Sequence, residues 1–169
     1  MVVVDRGSGN RMGKVKKTRS KSKWAKRCQH PDDLDKQLPS RKYAWEQFSR
    51  YIRTRDCLRT TGTLMLGKCI TCGREYDIDH LQAGHLVPGR HDAVLFDEVG
   101  VQSQCKRCNV FRSGEWPAFY LAIEERYGHQ AIVEIMKRYF DHSINFSPEE
   151  YRVIGDKYKA RLALLRIKR

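Results

Sequence analysis

The chain has 169 residues, 40% of them hydrophobic, which suits one domain with a modest core and terminal tails. Its mean hydropathy of -0.67 and the lack of any apolar run of about eighteen residues exclude a membrane-spanning helix. The apolar stretch near the N-terminus is too short for a signal peptide, so we expect a cytoplasmic protein. The formal net charge is +13, and its distribution along the chain is more informative than its size.

The positive charge is concentrated at the two ends of the chain. Residues 1–27 contribute +9 and residues 157–169 contribute +6, whereas residues 28–156 sum to −2. Basic tails gain free energy by displacing counterions from phosphates, so the N-terminal tail is predicted to bind nucleic acid, with a purely solubilising tail as the alternative. We therefore divide the chain into a basic, disordered tail and connector at 1–40 and one folded domain at 41–169.

Four segments have the apolar periodicity of helices. The first, 43–56, has an apolar face and an opposite, basic face that carries Arg41, Lys42, Arg50, Arg53 and Arg55. Two more helices, at 116–128 and 129–140, are separated by a glycine. The last begins at Ser147 as an N-cap, forms a capping box with Glu150, and runs to the C-terminus.

Four of the six cysteines form two Cys-x2-Cys pairs, which are Cys69 with Cys72 and Cys105 with Cys108. Two such pairs supply the four thiolates of a closed tetrahedral site, so we predict a structural zinc that joins both ends of the intervening segment. A redox dithiol is the alternative, but two matched pairs in a cytoplasmic chain favour a metal. The remaining cysteines, Cys28 and Cys57, are interpreted as plain thiols.

Three of the six histidines, His80, His85 and His91, lie between the two cysteine pairs. Cleaving a phosphodiester requires a base that activates water and a cation that stabilises the developing charge. A neutral imidazole near pH 7 supplies the base, and oxygen ligands hold a hard cation. The segment between the pairs is therefore a candidate site for phosphodiester cleavage.

The order of these motifs resembles a known class of nucleases. A Cys-x2-Cys pair, a strand ending in histidine, a loop and then Cys-x2-Cys-Asn is similar to the His-Me finger (HNH-like) nucleases and to phage endonuclease VII resolvases. A closer resemblance, over roughly residues 43 to 165, is to the NinG/Rap family of lambdoid phage recombination nucleases. It is carried by YIRTRD (51–56), GKCITCG (67–73), LQAGHLVPGRH (81–91), LFDE (95–98) and QCKRCN (104–109), together with Tyr120 and Tyr127-Gly128.

This resemblance implies an α+β fold in which a zinc-stapled ββα-metal core is embedded in helices. It implies a homodimeric endonuclease that uses Mg²⁺ or Mn²⁺ to cleave Holliday junctions and other branched DNA, in a phage-infected or prophage-bearing bacterial host. No membrane and no small-molecule substrate are expected. The alternatives are a duplex-nicking or homing-type HNH endonuclease, and a non-catalytic, zinc-stapled DNA-binding accessory protein of recombination.

The resemblance also assigns roles to residues. His85 would be the general base, with His80 as the weaker alternative, and Asn109 would be a metal ligand at the start of a helix, unless it only caps that helix. The sequence departs from the general motif at three positions, Gly84, Gly100 and Gln102. Because Gly84 stands where the motif has an acidic or histidine ligand, the cation needs another one, and the candidates are Asp97, His91 and Gln82.

Basic residues surround the proposed site: Arg90, Lys106, Arg107 and Arg112. They are predicted to hold phosphates on either side of the cut without reading bases, and the basic face of the first helix could hold further duplex arms. His91 could bind phosphate or metal, and Asp97 could be a ligand or a turn residue. Phe111 and Trp116 are expected in the core rather than stacked on bases. The C-terminal helix is one possible dimer contact.

Overall fold

The computed structural model describes residues 39–89 and 91–167, which form an α+β fold of helices and small antiparallel sheets. In chain order the elements are α1 (Pro39–Thr61), β1 (Leu66–Lys68), β2 (Glu75–Asp77), a 3-10 turn (Ile78–His80), β3 (Leu81–His85), α2 (Asp92–Leu95), β4 (Val101–Cys105), a π-helical turn (Arg107–Phe111), α3 (Trp116–Tyr127), α4 (His129–Phe140) and α5 (Pro148–Ile167). Among these helices, none combines the length and hydrophobicity that crossing a bilayer requires. The predicted N-terminal tail lies outside the described residues.

Helices α1 and α5 form the framework on which the sheets rest. Helix α1 is longer than the predicted 43–56, and it ends where Gly62 adopts a φ of +72°, as a glycine after a helix commonly does. The two helices meet closely at Gly155, where an added methyl group would lie 2.4 Å from Cε1 of Tyr43. The ring of Tyr158 packs edge-on against Phe48 with centroids 4.7 Å apart.

Two local predictions for the C-terminal half are confirmed. The Ser147 amide donates to Glu150 Oε2 at 2.7 Å and the Glu150 amide donates to Ser147 Oγ at 3.3 Å, which is a capping box. Gly128, with a φ of +81°, separates α3 from α4. Tyr158 and Leu162 of α5 are buried against α1, whereas Val153 and Leu164 of the same helix are exposed, and the dimer contact considered from the sequence stays a prediction.

Strands β3 and β4 form an antiparallel hairpin that pairs Leu81 with Cys105 and His85 with Val101. All residues of β4 are buried although three of them are polar. The outer edge of β4 is occupied as well, because the Ser103 amide donates to Asp56 Oδ2 at 2.7 Å and the Ser103 carbonyl accepts from the Ile70 amide at 2.9 Å. The hairpin is thereby held between helix α1 and the first cysteine pair.

The segments 51–56 and 95–98 contact each other through a half-buried polar network. Arg55 donates to the Glu98 carbonyl at 2.7 Å, and the Glu98 carboxylate accepts from the hydroxyls of Tyr51 and Tyr158, each at 3.1 Å. Burial would raise the pKa of Glu98, but the hydrogen bond and the charge of Arg161 outweigh it, so this pKa is lowered. These two motif segments therefore stabilise the fold.

The predicted DNA-contacting face of α1 is wrong for three of its five residues. Arg41 is only 2% exposed and pairs with Asp92 at 3.7 Å. Arg53 donates to the Ile78 carbonyl, and Arg55 belongs to the Glu98 network. At about 100° per residue, Arg41 and Arg55 lie on the same side of α1 as Phe48 and Ile52, so these two residues do not belong to an opposite, basic face. Only Lys42 and Arg50 of that set are exposed.

Replacing Asp56 by alanine tests the attachment of the hairpin to α1. This buried carboxylate accepts from the Ser103 amide and pairs with Arg55 at 2.8 Å and Arg59 at 2.7 Å. Its loss leaves buried donors without an acceptor, so we expect the free energy of unfolding to fall by about 3 kcal/mol in urea denaturation. The exposed control Asp77→Ala should change it by less than about 0.5 kcal/mol. Equal effects of the two substitutions would contradict this account.

Candidate metal centre

Four cysteine side chains converge at one point, as the spacing predicts. The Sγ atoms of Cys69, Cys72, Cys105 and Cys108 all lie within 4.8 Å of one another, and we call this group the sulfur cluster. A tetrahedral zinc with Zn–S bonds of about 2.3 Å places its sulfurs about 3.8 Å apart, so the cluster is close to that size. Four thiolates suit zinc, and the cluster can bind a structural metal such as this one.

Local backbone geometry sets the positions of the four sulfurs. Cys69 follows β1, and the chain turns at Gly73, whose φ is +69° and whose amide donates to the Cys69 carbonyl at 2.9 Å. Cys105 ends β4, and Cys108 lies in the π-helical turn that follows. The cluster therefore joins the ends of two separate hairpins.

Without a cation, the four thiols of the sulfur cluster are not all deprotonated near neutral pH. Burial would raise the pKa of Cys105, but the Cys108 amide and the Tyr76 hydroxyl stabilise its thiolate and bring the pKa to about 7. Burial raises the pKa of Cys108 to about 12 and also raises the pKa of Cys72. Neighbouring thiolates repel one another, so a bound divalent cation is needed to deprotonate the whole set.

On one face of the β3–β4 hairpin, Asn109 lies over Gly84. Asn109 Nδ2 donates to Gln82 Oε1 at 2.8 Å, which turns Oδ1 towards the hairpin. A methyl group built on Gly84 would lie 3.0 Å from that oxygen. The predicted residues Gln82 and Asn109 are therefore brought together, but Gln82 uses its oxygen to orient Asn109.

The structure adds a residue that sequence reasoning missed, Gln104. It lies opposite Gln82 in the β3–β4 register, so its side chain is on the same face of the hairpin as Gly84. Its Nε2 donates to the Gly114 carbonyl at 2.8 Å, and a methyl group on Gly84 would lie 1.9 Å from its Oε1. Its position beside Cys105 at the end of a strand was visible in the sequence, but its pairing with Gln82 was not.

His85 is placed on the other face of the hairpin. It is the last residue of β3, and strand alternation separates its side chain from that of Gly84. Its ring stacks on Trp45 with centroids 5.1 Å apart, and its Nε2 lies 3.3 Å from the Leu95 carbonyl oxygen. The structure does not bring His85 and Asn109 onto a common face.

Asp97 and His91 have other partners. Asp97 Oδ1 accepts from the Gly100 amide at 2.7 Å and its Oδ2 pairs with Arg138, so Asp97 is the turn residue that was its alternative interpretation. The His91 ring packs against Tyr139 and His142, with centroids 5.0 and 5.1 Å away, and burial lowers its pKa. The contacts of Asp97 and His91 therefore do not involve the face of the β3–β4 hairpin that carries Asn109.

Two of the predicted phosphate-binding residues lie beside this face. Exposed Lys106 and Arg107 line a cavity of about 490 Å³, and the other residues along its wall are Tyr76, Asp79, His80, Gln82 and Cys105. Arg112 is turned towards Glu115 at 2.5 Å, and Arg90 lies outside the described residues. The expectation that Phe111 and Trp116 belong to the core is wrong, because they are 72% and 49% exposed.

Comparisons with known proteins agree on one family. The family described as "NinG: Bacteriophage Lambda NinG protein" matches residues 6–168. The proteins named "Protein ninG" from Escherichia phage 933W and Salmonella phage P22 are each 30% identical over 102 residues, which is 58% of this chain and 48% and 47% of those proteins. The protein of that name from Escherichia phage lambda is 28% identical over 102 residues, again 58% of this chain and 47% of the relative. The chain thus spans about half the length of these curated relatives, and no solved structure matches it significantly.

The sulfur cluster makes a direct prediction about metal content. The Cys105→Ser substitution should remove the bound zinc and lower the melting temperature, because one ligand is lost from a closed four-sulfur site. Zinc per chain is measured by elemental analysis of the purified protein. Cys57→Ala is the matched control, since Cys57 is a buried thiol outside the cluster. If Cys105→Ser retains one zinc per chain, the cluster is not the zinc site.

Proposed function

The chain belongs to the NinG family of bacteriophage proteins, and from this we propose that it is a metal-dependent endonuclease that cleaves branched DNA such as Holliday junctions. The observation that carries the proposal is the hairpin closed by the sulfur cluster, with His85 at the end of β3 and Asn109 directly after Cys108. This order resembles the His-Me finger motif. One departure is that a five-residue π-helical turn follows the second cysteine pair where the motif has a regular helix.

The amide oxygen of Asn109 suits a hard divalent cation such as Mg²⁺ or Mn²⁺. Its orientation is set by the hydrogen bond to Gln82, which turns the oxygen towards the hairpin. Such a cation, when bound, stabilises the charge that develops on the phosphate and on the leaving oxygen. The absence of a side chain at Gly84 lets Gln104 Oε1 approach the hairpin beside this oxygen.

His85 is the general base of the proposal. If Nε2 carries the proton and donates it to the Leu95 carbonyl, the acceptor lone pair of the ring lies on Nδ1. Stacking on Trp45 restricts the rotation of the ring. Because His85 and Asn109 occupy opposite faces, a phosphate that meets both must lie across the end of β3.

The surface around the hairpin suits a DNA backbone. Lys106 and Arg107 line the cavity beside Gln82, and the Lys106 ammonium lies 5.7 Å from the centroid of the exposed Phe111 ring. Cationic side chains hold phosphates without reading bases, and exposed aromatic rings stack on unpaired bases, which occur at branches. Both properties favour recognition of DNA shape. Symmetric cutting of a junction by two active sites implies a homodimer.

The separation of His85 and Asn109 favours a second candidate function. A zinc-stapled DNA-binding accessory protein of recombination needs the sulfur cluster and the basic surface but no base next to a cation. Such a protein binds junctions equally well with and without Mg²⁺ and leaves them intact. Cleavage of junctions by the wild-type chain in the presence of Mg²⁺ distinguishes the two functions.

The His85→Ala substitution tests the base. In gel assays with synthetic junctions and Mg²⁺, we expect the cleavage rate to fall by about 100-fold or more, while the affinity for the junction changes little. The control is His129→Ala, which removes an exposed imidazole of α4 that contacts Glu124 at 2.9 Å and should be dispensable for cleavage. Unchanged cleavage in His85→Ala would place the base elsewhere. A wild-type chain that binds but never cuts would support the accessory protein.

The double substitution of Lys106 and Arg107 by alanine tests the DNA surface. Each phosphate contact that is lost reduces the dependence of log affinity on log salt by about 0.9, so the slope should fall by about 2. Binding to junctions is measured by fluorescence anisotropy over a range of salt concentrations. The control Arg152→Ala removes an exposed arginine of α5 and should leave the slope unchanged. An unaltered slope in the double variant would exclude this surface from DNA binding.

A further inference from the structure

We propose that Gln104 is a ligand of the divalent cation. Its side chain would replace the acidic or histidine ligand that the His-Me finger motif has at the position of Gly84. The inference rests on the proposed function, because it concerns the cation that this reaction uses. It assigns the missing ligand to the neighbouring strand instead of to Asp97, His91 or Gln82.

The first observation is a buried amide oxygen that lacks a partner. Gln104 is fully buried, and its Oε1 accepts no hydrogen bond from any residue that the structure describes. A buried acceptor of this kind costs free energy unless an ion or a water molecule meets it. Because Nε2 donates to the Gly114 carbonyl, the amide is oriented and its oxygen is turned towards Gly84.

The second observation is the close approach of Gln104 that Gly84 allows. Any side chain here would begin with a Cβ atom 1.9 Å from Gln104 Oε1 and 3.0 Å from Asn109 Oδ1. Gly84 does not have a positive φ, so the absence of a side chain is explained by this close approach rather than by backbone conformation. Gln104 Oε1 therefore takes the place of a Cβ atom at position 84, and Asn109 Oδ1 lies beside it.

The two oxygens have independent anchors. Asn109 is oriented by Gln82, and Gln104 is oriented by Gly114, so each amide turns its nitrogen away from Gly84 and its oxygen towards it. Gln104 Oε1 and Asn109 Oδ1 lie 1.9 and 3.0 Å from the Cβ position of residue 84, so these oxygens are less than about 5 Å apart. Small side-chain shifts would bring both of them into contact with one ion.

The chemistry of these ligands predicts how the site behaves. Amide oxygens are hard but neutral, so they hold a cation more weakly than carboxylates do, and they leave its charge for other ligands to neutralise. Mg²⁺ commonly completes its shell with water and with oxygens of a substrate phosphate. The site therefore takes a divalent cation whose affinity rises when a DNA phosphate is present.

The test compares Mn²⁺ binding by the zinc-loaded, full-length protein and two variants. Paramagnetic broadening of backbone amide NMR signals near Gly84 gives the Mn²⁺ dissociation constant without any cleavage assay. We expect Gln104→Ala to weaken Mn²⁺ binding at least tenfold. The double variant Gly84→Asp with Gln104→Ala should restore binding to wild-type strength or better, because its carboxylate enters the space that Gln104 vacates.

Restored Mn²⁺ binding in the double variant would show that position 104 supplies a ligand and not only packing. Unchanged zinc content would show that each variant is folded. The control Gln130→Ala removes an exposed glutamine of α4 and should not alter Mn²⁺ binding. Wild-type Mn²⁺ affinity in Gln104→Ala, or loss of Mn²⁺ binding in both variants, would overturn the assignment of Gln104 as a ligand. If the wild type still cleaves junctions, the proposed function stands independently of that result. A wild-type chain that neither binds Mn²⁺ nor cuts junctions would overturn both.

Discussion

The convergence of four sulfurs is the constraint on which the rest of this structure depends. Strands β1 and β2 have three residues each, and β3 and β4 have five, so neither hairpin buries enough surface to be stable alone. The sulfur cluster joins the ends of both hairpins, and a bound divalent metal converts that proximity into folding free energy. Asp56 attaches the same strand to α1, so β4 is held at its end and along its edge.

These attachments position the candidate chemistry. Because β4 is fixed, the register of the hairpin is fixed, and this register decides which side chains share a face with Asn109. Gln82, Gly84 and Gln104 share it, and His85 does not. The basic residues beside the cavity, Lys106 and Arg107, lie between Cys105 and Cys108, so the sulfur cluster that closes the fold also presents the surface proposed to hold DNA.

The sequence predicted features whose determinants are local. The cysteine spacing, the capping box at Ser147 and the break at Gly128 all lie within a few residues of the structure that they specify. Arg41 and Arg55 were assigned to the wrong face of α1, because about 100° per residue places them beside Phe48 and Ile52, where Asp92 and Glu98 meet them. Arg53 does point away from that face, but periodicity cannot show that its acceptor is the distant Ile78 carbonyl.

Similar reasons explain the other differences. Phe111 and Trp116 were expected in the core because aromatic residues are usually buried, yet they flank a short turn that leaves them exposed. Gln104 was overlooked because a strand that is buried on both faces has no polar alternation to mark a special residue. The assignments of His85 as a base and of Asn109 as a ligand stay predictions of the family resemblance.

Anomalous diffraction from crystals of the zinc-loaded protein grown with Mn²⁺ would test the central claim most directly. Data collected at the zinc and manganese absorption edges distinguish the two metals by position. This account predicts zinc between the four sulfurs and manganese over Gly84, in contact with the side-chain oxygens of Gln104 and Asn109. A cluster without zinc, or manganese bound only elsewhere on the molecule, would contradict it.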